Sequence, residues 1–279
     1  MTDFSKLTTE SYNKNTSEID KMTTIDIVRT INDEDKKVAF AVEKALNDIA
    51  ACVDVIASAL GSGGNIYYCG AGTSGRLGVL DASECVPTYG VSDKRVVGLM
   101  AGGYEALYSS VESAEDDPES IVSQLMERGF CEKDVLIAIS ASGSANCVKG
   151  ALKYATERGG ETICVTCNPN SDLIPLAKMH IVAEVGAEVI TGSTRMKAGT
   201  AQKMILNMLS TGAMIKYGRV RGNYMAYMIP SNKKLVDRAI RMICSKTGCP
   251  RERAEYELKS HGNRIYEAID AIENNQYEQ

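Results

Sequence analysis

Five short apolar runs, near residues 65–69, 95–100, 134–139, 162–167 and 180–184, alternate with segments whose apolar residues recur at three- and four-residue spacing. Strands buried on both faces read as continuous apolar runs, so this alternation is the mark of a parallel sheet covered by helices on each side. The sequence therefore predicts an α/β fold, a three-layer sandwich around a five-stranded parallel sheet. Helical spacing from Thr24 to about Gly61, carried by Ile25, Val28, Ile31, Val38, Val42, Ile49 and Val53, places helices ahead of the first strand. Residues 1–23 are polar and read as an extended arm. Met196 to Tyr217 is one long helical run, and its methionines suit a core or a subunit interface. Past Pro230, Lys233 to Ile272 reads as short amphipathic helices punctuated by Gly248, Pro250 and Gly262, with a loose polar tail expected from Glu273 to Gln279. The expected division is 1–60 for arm and helices, 61–225 for the sheet domain and 226–279 for a small helical region.

A chain of 279 residues with 44% hydrophobic side chains can bury one substantial core with a small appended domain. Its 31 basic and 36 acidic residues leave a net charge of -5, which offers no basic footprint to nucleic acid or to an anionic membrane surface. The longest apolar stretches, such as Ile49 to Leu60 with Asp54 inside it, fall short of a membrane span, and Met1 to Lys6 has no apolar signal segment. Nine irregularly spaced cysteines then point to reduced thiols in a cytoplasm rather than a disulfide framework. Cys164-Val165-Thr166-Cys167 lies in an apolar strand-like run, where a core reading outweighs a redox or metal one. With His180 and His261 as the two histidines and no ligand cluster, neither a metal nor a cofactor is expected.

Between the first strand and the next helix stands Cys69-Gly70-Ala71-Gly72-Thr73-Ser74-Gly75-Arg76-Leu77-Gly78. A strand, a tight glycine turn and a helix N-terminus aim backbone N–H groups and the positive end of the helix dipole at one spot, which suits an anion. Gly70, Gly72 and Gly75 match a G-x-G-x-x-G pattern, yet the next strand, Arg95 to Met100, runs into Ala101-Gly102-Gly103 and lacks the acid that a dinucleotide ribose needs. Arg76-Leu77 stands where a nucleotide P-loop needs Lys and a hydroxyl residue. Hydroxyls on Thr73 and Ser74, with Gly72, suit a small phosphate instead. A second turn, Ser140-Ala141-Ser142-Gly143-Ser144, follows the strand Val135 to Ile139. Two such loops suggest one phosphosugar gripped from two sides, against the plainer alternative of two ordinary strand-to-helix turns with hydroxyl N-caps.

Two acids complete the candidates. Glu84 sits in an apolar, proline-bounded context within Asp81 to Thr88, and Glu115 belongs to the acidic cluster Glu112 to Pro118, which by itself reads as a solvated loop or a helix N-terminus. Ser193, Thr194, Arg195 and Lys197 open the long helix, where helix capping and surface charge compete with a polar wall for an amino sugar.

With these residues on view the chain resembles the N-acetylmuramic acid 6-phosphate etherases, sugar isomerase (SIS) domain enzymes of bacterial cell-wall recycling that are also similar to glucokinase regulatory protein. The resemblance runs from Leu7-Thr8-Thr9-Glu10 through Ile19-Asp20, the Gly70 to Arg76 turn, Glu84-Cys85, Ala114 to Asp117 and Thr191 to Arg195, to Lys197-Ala198-Gly199-Thr200-Ala201-Gln202-Lys203. It implies removal of the D-lactyl ether at carbon 3 of the sugar without a cofactor, Glu84 and Glu115 serving as the acid and base. It further implies substrate contacts from Gly72, Thr73, Ser74, Ser140, Ser142, Ser144, Glu188, Ser193, Thr194 and Lys197, and a homodimer in which the neighbouring subunit completes the site. The expected roles are Glu84 protonating the leaving oxygen and Glu115 abstracting the carbon 2 proton. In the second loop the family usually reads Ala-Ser-Gly-Arg-Thr-Pro where this chain has Ala141 to Asn146, so Ser140, Ser144 and Asn146 are expected to remake the missing contacts. The C-terminal region is shorter than is usual in the family, so an incomplete helical domain is expected. A sugar-phosphate-binding regulator of the SIS class is the competing function, since it would keep both serine loops without needing paired carboxylates. An aldose-ketose isomerase is a third, sharing the phosphate grip and a base but having no use for an acid at carbon 3.

Overall fold

A computed structural model describes residues 7–111 and 113–276. Five strands, β1 (Ile66–Gly70), β2 (Val96–Met100), β3 (Val135–Ile139), β4 (Glu161–Thr166) and β5 (Met179–Val182), form one sheet in the order β2-β1-β3-β4-β5, every pair parallel. All five residues of β1 and of β3 are buried, which is why they read as unbroken apolar runs. The helices are α1 (Thr24–Glu43), α2 (Leu46–Gly61), α3 (Gly72–Tyr89), α4 (Ser120–Glu127), α5 (Asn146–Glu157), α6 (Lys197–Lys216), α7 (Lys233–Thr247), α8 (Arg251–Ser260) and α9 (Ile265–Gln276). No helix among the described residues is long and apolar enough to cross a membrane.

The chain divides into two compact units. One takes in the chain up to Ser83 together with Lys94–Ala213, and the other Glu84–Asp93 together with the chain from Met214 onward. In the first, α5 lays Cys147, Val148, Ala151, Leu152 and Ala155 against the sheet. In the second, α7, α8 and α9 close on Ala239, Ile243, Ala254, Leu258, Ile265 and Ile269. Asn232 caps α7 by accepting from the Leu235 N–H, and Gly248 ends it in the left-handed region at φ 71°. The expected loose tail differs: α9 continues through Glu273 to Gln276, and residues 277–279 lie outside the described ones.

Asp134 levels the two central strands. Its carboxylate accepts from the Asn65 backbone N–H at 2.7 Å and from the Cys131 N–H at 2.9 Å, tying the residue before β1 to the residue before β3. Gly70 consequently pairs with Ile139 at the far ends of the strands. Their following loops leave the sheet side by side, at the point where the strand order reverses. Crevices form there in open parallel sheets.

The segment read as a polar arm is instead packed where it is described. Short 3-10 turns at Thr8–Glu10, Lys14–Thr16 and Ile19–Lys21 bury Leu7, Thr9, Asn13 and Thr16. The Thr16 hydroxyl donates to the Val189 carbonyl at 2.8 Å and the Asn13 amide to the Ala187 carbonyl at 3.4 Å. Carbonyls of an irregular segment need donors when they are buried, and polar side chains supply them.

The start of α6 rests on a buried ionic cluster. Glu188 accepts from the backbone N–H groups of Lys197 and Ala198, both at 2.9 Å, so its carboxylate occupies the positive end of α6. The Lys197 ammonium, 2% exposed, donates to Glu34 on α1 at 2.7 Å. Burial by itself would raise the Glu34 pKa, but hydrogen bonds from Lys197 and Lys37 outweigh it and hold the carboxyl at about 2. Glu34→Gln leaves the Lys197 charge buried without its partner and should cost about 3 kcal/mol of stability at neutral pH. Because the folded pKa lies below the ordinary 4.5, wild-type stabilisation is complete above that pH and is lost as pH falls toward about 2. Denaturant melts of both proteins should therefore converge across that acid window; a constant gap would rule out the linkage.

Candidate active site

The loops after β1 and β3 enclose a cavity of about 110 Å³, lined by Ala71, Gly72, Thr73, Ser74, Glu115, Ile139, Ser140, Ala141, Ser142, Ala145 and Thr194. The first wall is the opening turn of α3. Gly72 takes φ 54°, a conformation costly for any side chain, and turns the chain from the strand into the helix. The Thr73 and Ser74 amides, in that first turn, have no carbonyl of their own helix four residues back. Gly75 lies so close beneath β1 that a Cβ there would stand 2.4 Å from the Gly70 carbonyl oxygen.

The second wall is the 140–145 loop. The Ser140 hydroxyl accepts from the Gly143 N–H at 3.1 Å, and Gly143 at φ 75° completes the turn. The Ser142 and Ser144 hydroxyls bond each other at 2.8 Å. Asn168, fully buried, donates its amide to the Ser142 carbonyl at 3.2 Å and braces the loop from behind. The loop leads directly into α5, so helix N-termini stand at two sides of the cavity.

Glu115 is the one ionisable side chain among the lining residues. It is held through its backbone: its carbonyl accepts from the Cys147 N–H at 3.0 Å, in the first turn of α5. Its side chain reaches solvent at the cavity rim. Partial desolvation there, and next the neighbouring Asp116 carboxylate, push its pKa up. The lining has no basic side chain; its polar side chains besides Glu115 are the hydroxyls of Thr73, Ser74, Ser140, Ser142 and Thr194.

The structure thus brings Gly72, Thr73, Ser74, Ser140, Ser142, Thr194 and Glu115 together around one cavity, with Ser144 bonded to Ser142. Other expected residues stand elsewhere. Glu188 and Lys197 are committed to the buried cluster at the start of α6, and Ser193 is the residue before the lining Thr194. Glu84 is exposed on α3, in the other compact unit. Arg76 donates to the Ala106, Leu107 and Ser109 carbonyls and so holds the 105–109 turn. Sequence reasoning missed Gln202, which meets Ser74 from behind at 3.0 Å, and Glu34. Glu34 had a signal, because it shares the apolar stripe of Ile31, Val38 and Ala41 on α1.

Strand order, a crevice at the reversal point and paired hydroxyl loops define a SIS-domain protein. Residues 48–156 match the family model described as glucokinase regulatory protein N-terminal SIS domain, and residues 121–212 match the SIS domain model. Among solved structures, phosphoheptose isomerase GmhA from Neisseria gonorrhoeae is similar at TM-score 0.51 and 19% identity, over 68% of this chain and 98% of that one. The Vibrio vulnificus NanR protein complexed with ManNAc-6P is similar at TM-score 0.51 and 18% identity, over 80% of this chain and 70% of that one. At such identities the likeness establishes the fold.

The family follows from closer relatives. N-acetylmuramic acid 6-phosphate etherase of Clostridium botulinum (strain Okra / Type B1) is 52% identical over 268 residues, 96% of this chain and 89% of that protein. The etherases of Photobacterium profundum and Aeromonas hydrophila are 51% and 50% identical, over 96% and 97% of this chain and 89% and 91% of theirs. The chain belongs to the N-acetylmuramic acid 6-phosphate etherase family.

Gly75→Ala tests the anion loop directly. The added methyl must displace the Gly70 carbonyl, at a cost of about 1–3 kcal/mol in stability, and should weaken inorganic phosphate binding by calorimetry at least roughly tenfold. Wild-type phosphate affinity in a destabilised variant would exclude this loop as the anion site.

Proposed function

We propose that the protein cleaves the D-lactyl ether of N-acetylmuramic acid 6-phosphate, giving N-acetylglucosamine 6-phosphate and D-lactate in amino-sugar recycling, and that Glu115 works as the base of a carbon-oxygen lyase. The observation that carries this reading is one cavity in which a carboxylate faces the hydroxyls of two loops at two helix N-termini. The 6-phosphate sits against Thr73, Ser74, Ser140 and Ser142 in the sheet domain, residues 61–225, which anchors the sugar. In the ring-opened sugar the carbon 2 proton lies beside an aldehyde and is acidified by it. Glu115 removes that proton, and the electron pair forms the carbon 2–carbon 3 double bond as the carbon 3–oxygen bond breaks. Glu84 gives a proton to the departing lactate oxygen, and water then adds at carbon 3 of the unsaturated aldehyde. A base whose pKa is raised toward the working pH transfers protons more effectively than an ordinary carboxylate.

The acid comes from a second copy. Glu84 is not among the residues that line the cavity holding Glu115. Its exposure leaves it available to a neighbour, and α1 carries exposed Ile25, Val28 and Phe40, the last 65% exposed, which favours burial against another chain. A homodimer supplies both. Light scattering should give twice the chain mass, and Phe40→Glu should shift it to the single chain; a wild-type monomer would remove this arrangement. The nine free cysteines suit the reducing cytoplasm.

Incubating the pure protein with N-acetylmuramic acid 6-phosphate should release D-lactate, and Glu84→Gln or Glu115→Gln should each lower kcat at least roughly thousandfold. Mixing the two variants should restore about a quarter of wild-type turnover, because half of the dimers then hold one intact pair. Without recovery, both acids must belong to one chain. Asp116→Asn removes the like charge and lowers the Glu115 pKa, so the acid limb of kcat/KM should move to lower pH. Sugar-phosphate binding with no lactate would favour a regulator.

A further inference from the structure

Behind the phosphate loop stands a buried amide with one end unused. Gln202, on α6, is 1% exposed; its Oε1 accepts from the Ser74 hydroxyl at 3.0 Å, and its Nε2 is buried with no hydrogen-bond partner. An unmet buried donor is costly and calls for a reason. In this arrangement Ser74 spends its hydrogen on Gln202 and turns only lone pairs toward the cavity. A phosphate, which is all acceptor, gains nothing from a serine presented that way.

We propose that Gln202 is a positioning residue that switches Ser74 from acceptor to donor when the phosphate enters, an inference that rests on the phosphate reading of the cavity given above. The two ends of a carboxamide have the same shape, so the side chain fits its slot in either orientation. Rotation by half a turn sets Nε2 against the Ser74 oxygen. Nε2–H then donates to Ser74 Oγ, and the freed Ser74 O–H donates to a phosphate oxygen. In both orientations one end of the amide stays unmet, so the interior charges a similar penalty either way and the incoming anion decides the balance. Donor chains polarise one another, which strengthens the Ser74 bond to a charged acceptor. A purely structural glutamine would keep the same end on Ser74 throughout.

The probe is inorganic phosphate, titrated into the intact protein labelled uniformly with ¹⁵N. The chain holds four glutamines, at 124, 202, 276 and 279, and Gln202→Met identifies the resonance by its loss. Phosphate should move the Gln202 side-chain amide resonances together with the backbone amides of residues 72–74, and Ser74→Ala should abolish the side-chain response. In lactate release, Gln202→Met should raise KM roughly five- to tenfold with kcat within about twofold, the pattern of lost uniform binding. Gln202→Glu, an isostere that only accepts when ionised, should be worse than the Met variant, whereas a packing role would make the isostere the milder change. Shifts at 72–74 with a still Gln202 amide, or a Glu variant milder than Met, would overturn the switch alone. Silence at 72–74 would overturn the phosphate reading and the switch with it.

Discussion

Everything at the cavity depends on two neighbouring strands ending at the same height. Asp134 accepts from Asn65 and Cys131, so β1 and β3 start level, and in a parallel ladder they then finish level at Gly70 and Ile139. From those ends the chain has to leave in two loops that stand side by side, each feeding a helix. The α3 and α5 N-termini therefore meet at one cavity, whose lining has no lysine or arginine. Beside them stands a lone carboxylate, Glu115, in a partly desolvated setting where its proton affinity is raised.

The start of α6 obeys the same physics with the opposite outcome. Its positive end is filled by the protein's own Glu188, whose carboxylate takes the Lys197 and Ala198 amides, and Lys197 in turn is neutralised by Glu34. Three helix N-termini thus have two fates. One is satisfied internally, at the start of the long helix that carries Gln202; the other two stand at the cavity. α6 backs the cavity-lining turn, since Gly199 passes within reach of the Thr73 side chain and Gln202 meets Ser74 itself.

Local signals made much of this legible. Glycines at 72 and 143 mark turns that need positive φ, hydroxyls follow them, and both stand after fully buried apolar runs. The pattern of helices and strands followed from periodicity, whereas Glu115 was singled out by the family resemblance, its acidic segment by itself reading as a solvated loop or a helix N-terminus. What stayed hidden were pairings across long stretches of chain. Glu188 and Lys197 stood as substrate contacts on the family resemblance, yet each has a partner that sequence spacing does not reveal, in one case 163 residues away. The polar start of the chain read as a free arm for the same reason, since its partners at Ala187 and Val189 lie far along the sequence.

By itself the sequence determined the α/β class, the two hydroxyl loops, the helices that follow them and the family to which the chain belongs, because each of these is written in neighbouring residues. Tertiary structure alone decided which charges are consumed within the protein and which face the cavity. A carboxylate or an ammonium has the same appearance in a sequence whether it is buried in a pair or held at a pocket rim, and only the fold sets its distance from an opposite charge and from water.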